Sequence, residues 1–279
     1  MRPGLASLAS LAALSAAVLI AAAPARSEPS LPEGVRGIDL IEGWRQADGT
    51  HVAALEVRLA PGWHTYWRVP GEAGIPPRLD WSRSRNLASV RYEWPRPRVF
   101  DFAGLRTIGY ADTLVLPVIL TPERPGEPID IDLDLLLGVC ADICVPAEAR
   151  LGANLAPDAP ASGRPEIEAA RADRPRSAAE AGVTSVTCRL VPGAAGMDLD
   201  TTVSFAAPPG ADQVAVLEPG GPGLRIGPAE SRTEGRAVHA KARIKGRGGA
   251  GPVLDRGALR LTLLDGSRAV DIRGCAAPR

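Results

Sequence analysis

The feature that most constrains the fold is the segment 129–135, in which Ile or Leu alternates with Asp. Such strict two-residue alternation is typical of a β-strand with one face in a core and the other towards solvent. The same period recurs, between Gly and Pro residues, at 51–59, 90–94 and 114–120. Residues 1–159 contain no convincing helical period. The first half of the chain is therefore predicted to be an antiparallel β-sandwich.

The strand pattern returns in the second half of the chain. Candidate strands lie at residues 184–191, 199–205, 213–217, 237–245, 258–264 and 268–273. They predict an all-β chain with two sandwich domains in tandem, 26–157 and 183–279. The intervening residues 158–182 are rich in Ala, Pro, Arg and Glu, with Ile167 as their only large apolar side chain. This composition predicts a solvated linker with a short helix at 165–172.

One predicted strand carries an irregular residue. Both alternating sets of residues 114–120 are apolar, which predicts burial on both faces. Pro117 lies in this segment and cannot donate a ladder hydrogen bond, so it predicts an edge position or a bulge.

The N-terminus has the three parts of a secretory signal peptide. Arg2 supplies positive charge, an uncharged Ala/Leu/Ser run follows, and Ala23-Pro24-Ala25 offers a small-x-small cleavage site. An uncleaved anchor is the alternative, because the run is just long enough to span a bilayer. Cleavage of residues 1–25 is predicted. We therefore expect a mature chain without a membrane span in the periplasm of a Gram-negative bacterium.

Charge and aromatic content narrow the function classes. The chain has 32 Lys and Arg against 32 Asp and Glu, and no basic cluster. A surface for nucleic acid or anionic membranes is therefore not expected. Ten of the eleven aromatic side chains lie between Trp44 and Tyr110, and only Phe205 lies outside. The first domain is thus predicted to hold an aromatic-rich core or site.

All four cysteines follow the predicted signal peptide, and an even count in an oxidising compartment indicates disulfides. The spacing favours Cys140–Cys144 and Cys188–Cys275. The second pair would link the first strand of the second domain to the C-terminal end of that domain, as a structural disulfide without a redox role. The first pair closes a very short loop and adds little stability in the chain-entropy model. This difference favours a chemical role for Cys140 and Cys144.

The spacing of Cys140 and Cys144 leaves three interpretations open: a structural disulfide, a redox relay and a metal site. Thiol–disulfide exchange needs one thiolate and a second cysteine to resolve the mixed disulfide. Asp142 between them is expected to raise the pKa of both thiols, which favours a relay attacked by another protein's thiol. The two thiolates together with a histidine would instead suit Cu(I). His64 is the preferred histidine, because it lies in a conspicuous motif, and His51 and His239 are the other two in the chain.

The exposure of this pair follows from strand parity. If the strand at 129–135 continues unbroken past Gly138, its odd positions face the core. Cys140 would then lie on the opposite face, with the aspartates, which places the pair near the surface where a partner could reach it.

Several ordered motifs carry a family resemblance. They are Gly-Trp-His-Thr-Tyr-Trp at 62–67, Pro-Gly at 70–71, Gly-Ile-Pro-Pro at 74–77, Phe-Ala-Gly at 102–104, Ile-Gly-Tyr at 108–110, Leu-Val-Leu-Pro at 114–117 and Gly-Val-Cys-Ala-Asp-Ile-Cys-Val-Pro at 138–146. Over about residues 38–155 the chain resembles the amino-terminal periplasmic domain of DsbD-type thiol–disulfide interchange proteins. It resembles the related ScsB-type proteins more closely, although the loop between the cysteines is shorter than in DsbD members.

The resemblance implies immunoglobulin-like sandwiches and a redox-active Cys140–Cys144 pair without a cofactor. It implies a cap loop at 101–104, with Asp101 and with Phe102 as the shielding aromatic. Tyr66 and His64 would line the site. The implied partners are a membrane electron donor of the DsbD, ScsB or CcdA type and periplasmic thioredoxin-like or disulfide isomerase proteins. The second sandwich resembles the extra domain of ScsB-type proteins.

The resulting prediction is a component of a thiol:disulfide oxidoreductase that relays electrons in the periplasm. Two alternatives use the same cysteines differently. One is a Cu(I)-binding copper-tolerance protein, and the other is a non-catalytic adaptor with a structural disulfide. Copper stress, cytochrome maturation and disulfide repair are the settings that the sequence leaves open.

Overall fold

Four β-sheets, stacked in pairs as two sandwiches, form the architecture of the computed structural model. It describes residues 31–102, 104–193, 196–210, 212–220, 223–246 and 251–278. The predicted signal peptide, residues 1–25, lies outside the described residues. In the described part of the chain, no helix has the length and hydrophobicity of a membrane span.

The first sandwich contains the strands before residue 156. They are β1 (Val35–Arg45), β2 (His51–Leu59), β3 (His64–Gly71), β4 (Arg78–Asp80), β5 (Ser89–Tyr92), β6 (Arg98–Phe102), β7 (Leu105–Ala111), β8 (Thr113–Thr121), β9 (Ile129–Cys140) and β10 (Cys144–Leu155). One sheet has the order β1-β2-β8-β5. The other has the order β10-β9-β3-β7-β6, with β4 paired to β9.

The alternating segment at 129–135 forms β9 as predicted. The side chains of Ile129, Ile131 and Leu133 are buried, whereas the aspartates between them are partly exposed. The predicted burial of both faces at 114–120 is also observed, in β8. The buried face of β9 and one face of β8 meet in a continuous core between the two sheets, and the other face of β8 packs in a separate cluster with Trp44.

Pro117 does not lie at an edge or a bulge, because β8 pairs in regular register with β2 on one side and β5 on the other. The Pro117 carbonyl accepts a hydrogen bond of 2.9 Å from the N–H of Glu93, just after β5 ends at Tyr92. In an antiparallel ladder the N–H and C=O of one residue point to the same side. The missing N–H of Pro117 therefore falls where the neighbouring strand ends.

The second sandwich follows a short helix. Its elements are α1 (Arg164–Ala172), β11 (Arg176–Ser177), β12 (Val183–Gly193), β13 (Gly196–Phe205), β14 (Val214–Glu218), β15 (Leu224–Glu234), β16 (Ala237–Gly246), β17 (Arg260–Leu264) and β18 (Ala269–Arg273). The sheet orders are β11-β18-β17-β14 and β12-β13-β16-β15. The sequence did not predict β15, in which Gly227 and Pro228 interrupt the alternation at a register shift.

Most side chains of the segment between the sandwiches are exposed or half-buried, as the predicted solvated linker requires, but Ile167 is docked on the first sandwich. The helix α1 lies where a short helix was predicted, with Pro in its first turn and Arg171 in its last turn, where a cation favours the helix dipole. Ile167 is fully buried and packs against Trp44 and Ile119 of the first sandwich. Burying one large aliphatic side chain contributes about 1.5–3 kcal/mol to this contact.

The two sandwiches also contact each other directly. Val216, Leu264 and Ala269 of the second sandwich pack into the main core of the first. Beside this contact, the guanidinium of Arg68 on β3 donates to both carboxylate oxygens of Glu218 on β14, at 3.1 and 2.8 Å. Both sandwiches belong to one compact unit, Leu31–Arg279.

Candidate functional site

A disulfide closes the tip of the β9–β10 hairpin. Cys140 and Cys144 are directly opposed in the antiparallel register, with Cα atoms 4.2 Å apart. Residues 141–143 make the turn, in which the N–H of Ala141 donates to the carbonyl of Ile143 at 3.2 Å. The pairing then continues without a register shift to Ile129 and Leu155. The pair is therefore held by a regular hairpin, and the disulfide is an additional link at its end.

The two sulfur-bearing residues differ in exposure. Cys140 has no exposed surface, whereas Cys144 is only half-buried. The unbroken register keeps Cys140 on the face of the β9 aspartates, as predicted, but the expected surface position is wrong. Ile75 and the ring of Tyr66 cover that face beside Gly138, where an added Cβ would lie within 3 Å of both. Of the two residues, only Cys144 therefore has surface that a partner thiol could approach.

Tyr66 on β3 contacts both sulfur atoms. Its hydroxyl lies 2.5 Å from Sγ of Cys140 and 3.1 Å from Sγ of Cys144. The side chain is 1% exposed, and its ring fits between Gly74 and Gly138, where an added Cβ would come within 2.7 and 2.9 Å of ring carbons. Burial raises the pKa of Tyr66, so the phenol keeps its proton and acts as a donor.

His64 lies beside this cluster, directly opposite Cys140 in the β3–β9 pairing. Its ring meets Tyr66 edge-on at 5.3 Å and stacks on Phe100 at 4.7 Å between ring centroids. The residue is 7% exposed, and its Nε2 is buried with no hydrogen-bond partner among the described residues. Burial lowers the pKa of His64, which favours the neutral imidazole.

The predicted cap loop forms the tip of the β6–β7 hairpin. The side chain of Phe102, its predicted shielding aromatic, lies outside the described residues. Asp101 is exposed, and its carboxylate accepts the N–H of Gly104 at 3.1 Å. The aromatic of this hairpin that is seen at the site is Phe100, which sequence reasoning missed. The available signal was an aromatic residue, Phe100, two positions before the cap motif.

The loop between the cysteines presents two exposed side chains. Asp142 is exposed, and Ile143 is 64% exposed although it is apolar. Ile143 immediately precedes Cys144, the more accessible cysteine. The surface beside Cys144 therefore presents an apolar side chain and a carboxylate.

The second disulfide joins Cys188 on β12 to Cys275, 87 residues later and just after β18. Cys188 is 1% exposed. The backbone supports the same connection, because the N–H of Cys188 donates to the carbonyl of Ala276, and the N–H of Ala276 donates to that of Val186. This disulfide links distant parts of the second sandwich, and the hydrogen bonds beside it hold the same ends together.

The histidines do not converge on the cysteines. His51 on β2 bonds the Glu42 carbonyl at 2.6 Å, and His239 on β16 contacts the hydroxyl of Thr202. Only His64 lies beside Cys140. Across the described ranges, no group of three or more His, Cys, Asp or Glu side chains is placed to share a metal ion. The copper interpretation therefore gains no support from the geometry.

Comparisons with known proteins agree with the resemblance seen in the sequence. Residues 39–156 match the family model described as thiol:disulfide interchange protein DsbD, N-terminal. The crystal structure of the N-terminal periplasmic domain of ScsB from Proteus mirabilis is similar over 85% of this chain and 92% of that chain, with a TM-score of 0.66 and 22% sequence identity. No curated protein matches the chain. The predicted fold class, two immunoglobulin-like β-sandwiches, is confirmed.

Proposed function

We propose that this chain, whose residues 39–156 belong to the DsbD N-terminal domain family, relays electrons between periplasmic thiol proteins through Cys140 and Cys144. The observation that carries the proposal is the asymmetry of the pair. One sulfur is accessible at a hairpin tip, and the other is buried against a hydroxyl donor that contacts both. Thiol–disulfide exchange needs this division between an attacked cysteine and a leaving one.

Reduction of the disulfide begins at Cys144, because its sulfur is the accessible one. A partner thiolate attacks Sγ of Cys144, and a new disulfide forms between them. The Cys140–Cys144 bond breaks, and Cys140 leaves as a thiolate that accepts a hydrogen bond from the Tyr66 hydroxyl, already 2.5 Å away. Hydrogen bonds to an ionised acceptor contribute about 1.5–3 kcal/mol, so Tyr66 stabilises the leaving group.

The second half of the reduction releases the partner. Its other thiolate attacks its own sulfur in the mixed disulfide, and Cys144 leaves as a thiolate. Two electrons have then moved to this chain, and the partner carries the disulfide. Delivery to an acceptor runs the same steps in reverse, with Cys144 attacking and Cys140 resolving. No cofactor takes part in this scheme.

The proposed setting is the periplasm, with a membrane protein of the DsbD, ScsB or CcdA type as donor. Thioredoxin-like or disulfide isomerase proteins are the proposed acceptors. Family membership of the first sandwich and the predicted signal peptide support this setting. The exposed Ile143 and Asp142 would form the first contact with either partner.

Trapping of mixed disulfides tests the proposal. In Cys140→Ala the accessible Cys144 can form a mixed disulfide that nothing resolves, so adducts with periplasmic proteins are expected to accumulate. Cys144→Ala is the matched control, because the remaining buried cysteine is expected to trap few. A Cys188→Ala/Cys275→Ala double variant should leave exchange intact. Absence of adducts in Cys140→Ala would contradict the relay.

The reduction potential separates a relay from an adaptor with a structural disulfide. The protein is equilibrated in redox buffers, its free thiols are labelled with a reagent of known mass, and the reduced fraction of each cysteine pair is measured separately. We expect Cys140–Cys144 between about −200 and −270 mV, as in known exchange proteins. Cys188–Cys275 should stay oxidised under the same conditions. A value below about −300 mV for both pairs would favour the adaptor.

A further inference from the structure

We propose that His64 is the proton acceptor and donor of the buried cysteine. It takes the proton of the Cys140 thiol when Cys140 attacks Cys144, and returns it after Cys140 leaves. This inference rests on the proposed exchange function and gives one further residue a defined role in it.

The first argument is position. His64 and Cys140 are directly opposed on neighbouring strands, and such residues have Cβ atoms about 4.5–5.5 Å apart on the same face. The disulfide holds Sγ of Cys140 against Tyr66 and Cys144. Opening that bond allows rotation about Cα–Cβ of Cys140. Its sulfur can then turn towards the imidazole across the strand pair.

The second argument is the unsatisfied nitrogen. Buried polar side-chain atoms almost always have a hydrogen-bond partner, and an exception calls for an explanation. Nε2 of His64 is such an exception among the described residues. Packing against Phe100 and Tyr66 fixes the ring and does not require a histidine. A phenyl ring could fill the same space, so the nitrogen itself needs a function.

The third argument is the chemistry of the buried sulfur. A thiolate without a counter-charge is costly in a site that excludes water, so Cys140 must lose its proton to a nearby group as it attacks. The titratable side chains packed around Cys140 are Tyr66, Cys144 and His64, whereas Asp142 in the turn and Asp101 at the tip of the β6–β7 hairpin are exposed. Tyr66 is already protonated and can only donate, and the sulfur of Cys144 is the atom under attack. Burial lowers the pKa of His64, so its imidazole is neutral and able to take up a proton.

The resolving step then balances as follows. A target protein is bound to Cys144 through a mixed disulfide, and Cys140 carries a thiol. Nε2 of His64 takes the thiol proton, and the sulfur of Cys140 attacks Sγ of Cys144. The Cys140–Cys144 disulfide forms, the bond to the target breaks, and the target leaves as a thiolate. The imidazolium passes its proton to that thiolate or to water.

The test isolates this step without a protein partner. When reduced protein reacts with one equivalent of dithiobis-nitrobenzoate, one coloured thionitrobenzoate anion is expelled, and a second thionitrobenzoate stays on Cys144 as a mixed disulfide that lacks this colour. Its release by Cys140 is then followed by absorbance over a range of pH. The thionitrobenzoate anion needs no proton to leave, so the rate reports deprotonation and attack by Cys140. General base catalysis contributes about 100-fold or more, and His64→Phe is expected to lose that factor near neutral pH.

Controls distinguish chemistry from packing. His64→Phe keeps a ring against Phe100, and His64→Gln keeps a polar side chain that cannot take up a proton; both should slow release and move its pH dependence to higher pH. His239→Phe makes the same substitution in the second sandwich and should change nothing. Circular dichroism and the melting temperature identify a variant that has lost its fold, and the other His64 variant then decides.

Three outcomes are informative. Slow release in a folded His64 variant, with a changed pH profile, supports the role of His64. Wild-type rates and pH dependence in the folded variants overturn it, and the relay function is then untouched. If the wild-type protein cannot release the label at any pH, the exchange function fails and the role of His64 fails with it.

Discussion

Removing the Tyr66 hydroxyl should change the chemistry of the cysteine pair without disturbing the fold. Tyr66→Phe keeps the ring between Gly74 and Gly138 and deletes only the oxygen that contacts the sulfurs at 2.5 and 3.1 Å. A hydroxyl bonds a thiolate more strongly than a disulfide sulfur, because the acceptor is ionised. The substitution therefore destabilises the reduced, ionised form relative to the oxidised form.

The magnitude follows from the strength of that hydrogen bond. A bond to an ionised group contributes about 1.5–3 kcal/mol, and one pKa unit corresponds to about 1.4 kcal/mol. The pKa of the Cys140 thiol should therefore rise by about 1–2 units. Since 30 mV corresponds to about 1.4 kcal/mol for a two-electron couple, the potential should fall by about 30–60 mV where Cys140 is ionised.

The assay is the pH titration of the Cys140 thiolate by its ultraviolet absorbance in a Cys144→Ser background, so that no reagent has to reach the buried sulfur. Tyr110→Phe is the matched control, because the Tyr110 hydroxyl donates to the Pro95 carbonyl at 2.9 Å in the same sandwich. That variant should lose about 1 kcal/mol of unfolding free energy and leave the thiol pKa unchanged. Equal thiol pKa values in Tyr66→Phe and the parent would refute the assignment of Tyr66 as donor.

Three further perturbations test the site and its surroundings. Gly138→Ala places a Cβ 2.6 Å from that of Ile75 and 2.9 Å from the Tyr66 ring. It should lower the free energy of chemical unfolding by about 1–3 kcal/mol and displace the Tyr66 hydroxyl from the sulfurs. Unchanged stability and an unchanged thiol pKa would contradict this packing. Ile143→Ser should slow exchange with protein thiols but not with a small thiol, because Ile143 is exposed beside Cys144; equal slowing of both would exclude a docking role. Burial lowers the pKa of both His51 and His64, so the folded chain binds fewer protons than the unfolded chain. The melting temperature should therefore fall as the pH drops below about 6.5. A melting temperature that stays constant down to about pH 5 would contradict the assignment of both histidines as neutral in the folded chain.

Local patterns in the sequence identified β2, β5, β8 and β9 of the first sandwich and every described strand of the second except β11 and β15, because strand burial has a period that can be read directly. The Ile/Asp alternation of β9 and the two-faced apolar run of β8 illustrate this. The short helix was also predicted, but its docking was not. Ile167 is one apolar residue in a polar segment, and only the distant Trp44 and Ile119 show what it packs against.

The site could be predicted from the sequence only in part. Parity placed Cys140 on the correct face of β9, yet its burial depends on Tyr66 and Ile75, which are far away in the sequence. The ordered motifs suggested Tyr66 and His64 through family resemblance rather than through any local rule. Phe100 was not predicted to lie at the site, because the family motif at 102–104 begins with Phe102. Contacts between strands, unlike strand periods, have no signature within a single segment.

The length of the β9–β10 hairpin has a consequence for how the chain would function as a carrier. Twelve opposed residue pairs hold this hairpin, and the disulfide links only the pair at its end. Opening that link leaves the other pairs in place, so the oxidised and reduced forms should be nearly isosteric. A partner would then meet the same surface in both forms. The direction of electron flow would be set by the stability of the Cys140–Cys144 disulfide relative to that of the partner's disulfide. No conformational change would be needed between one transfer and the next.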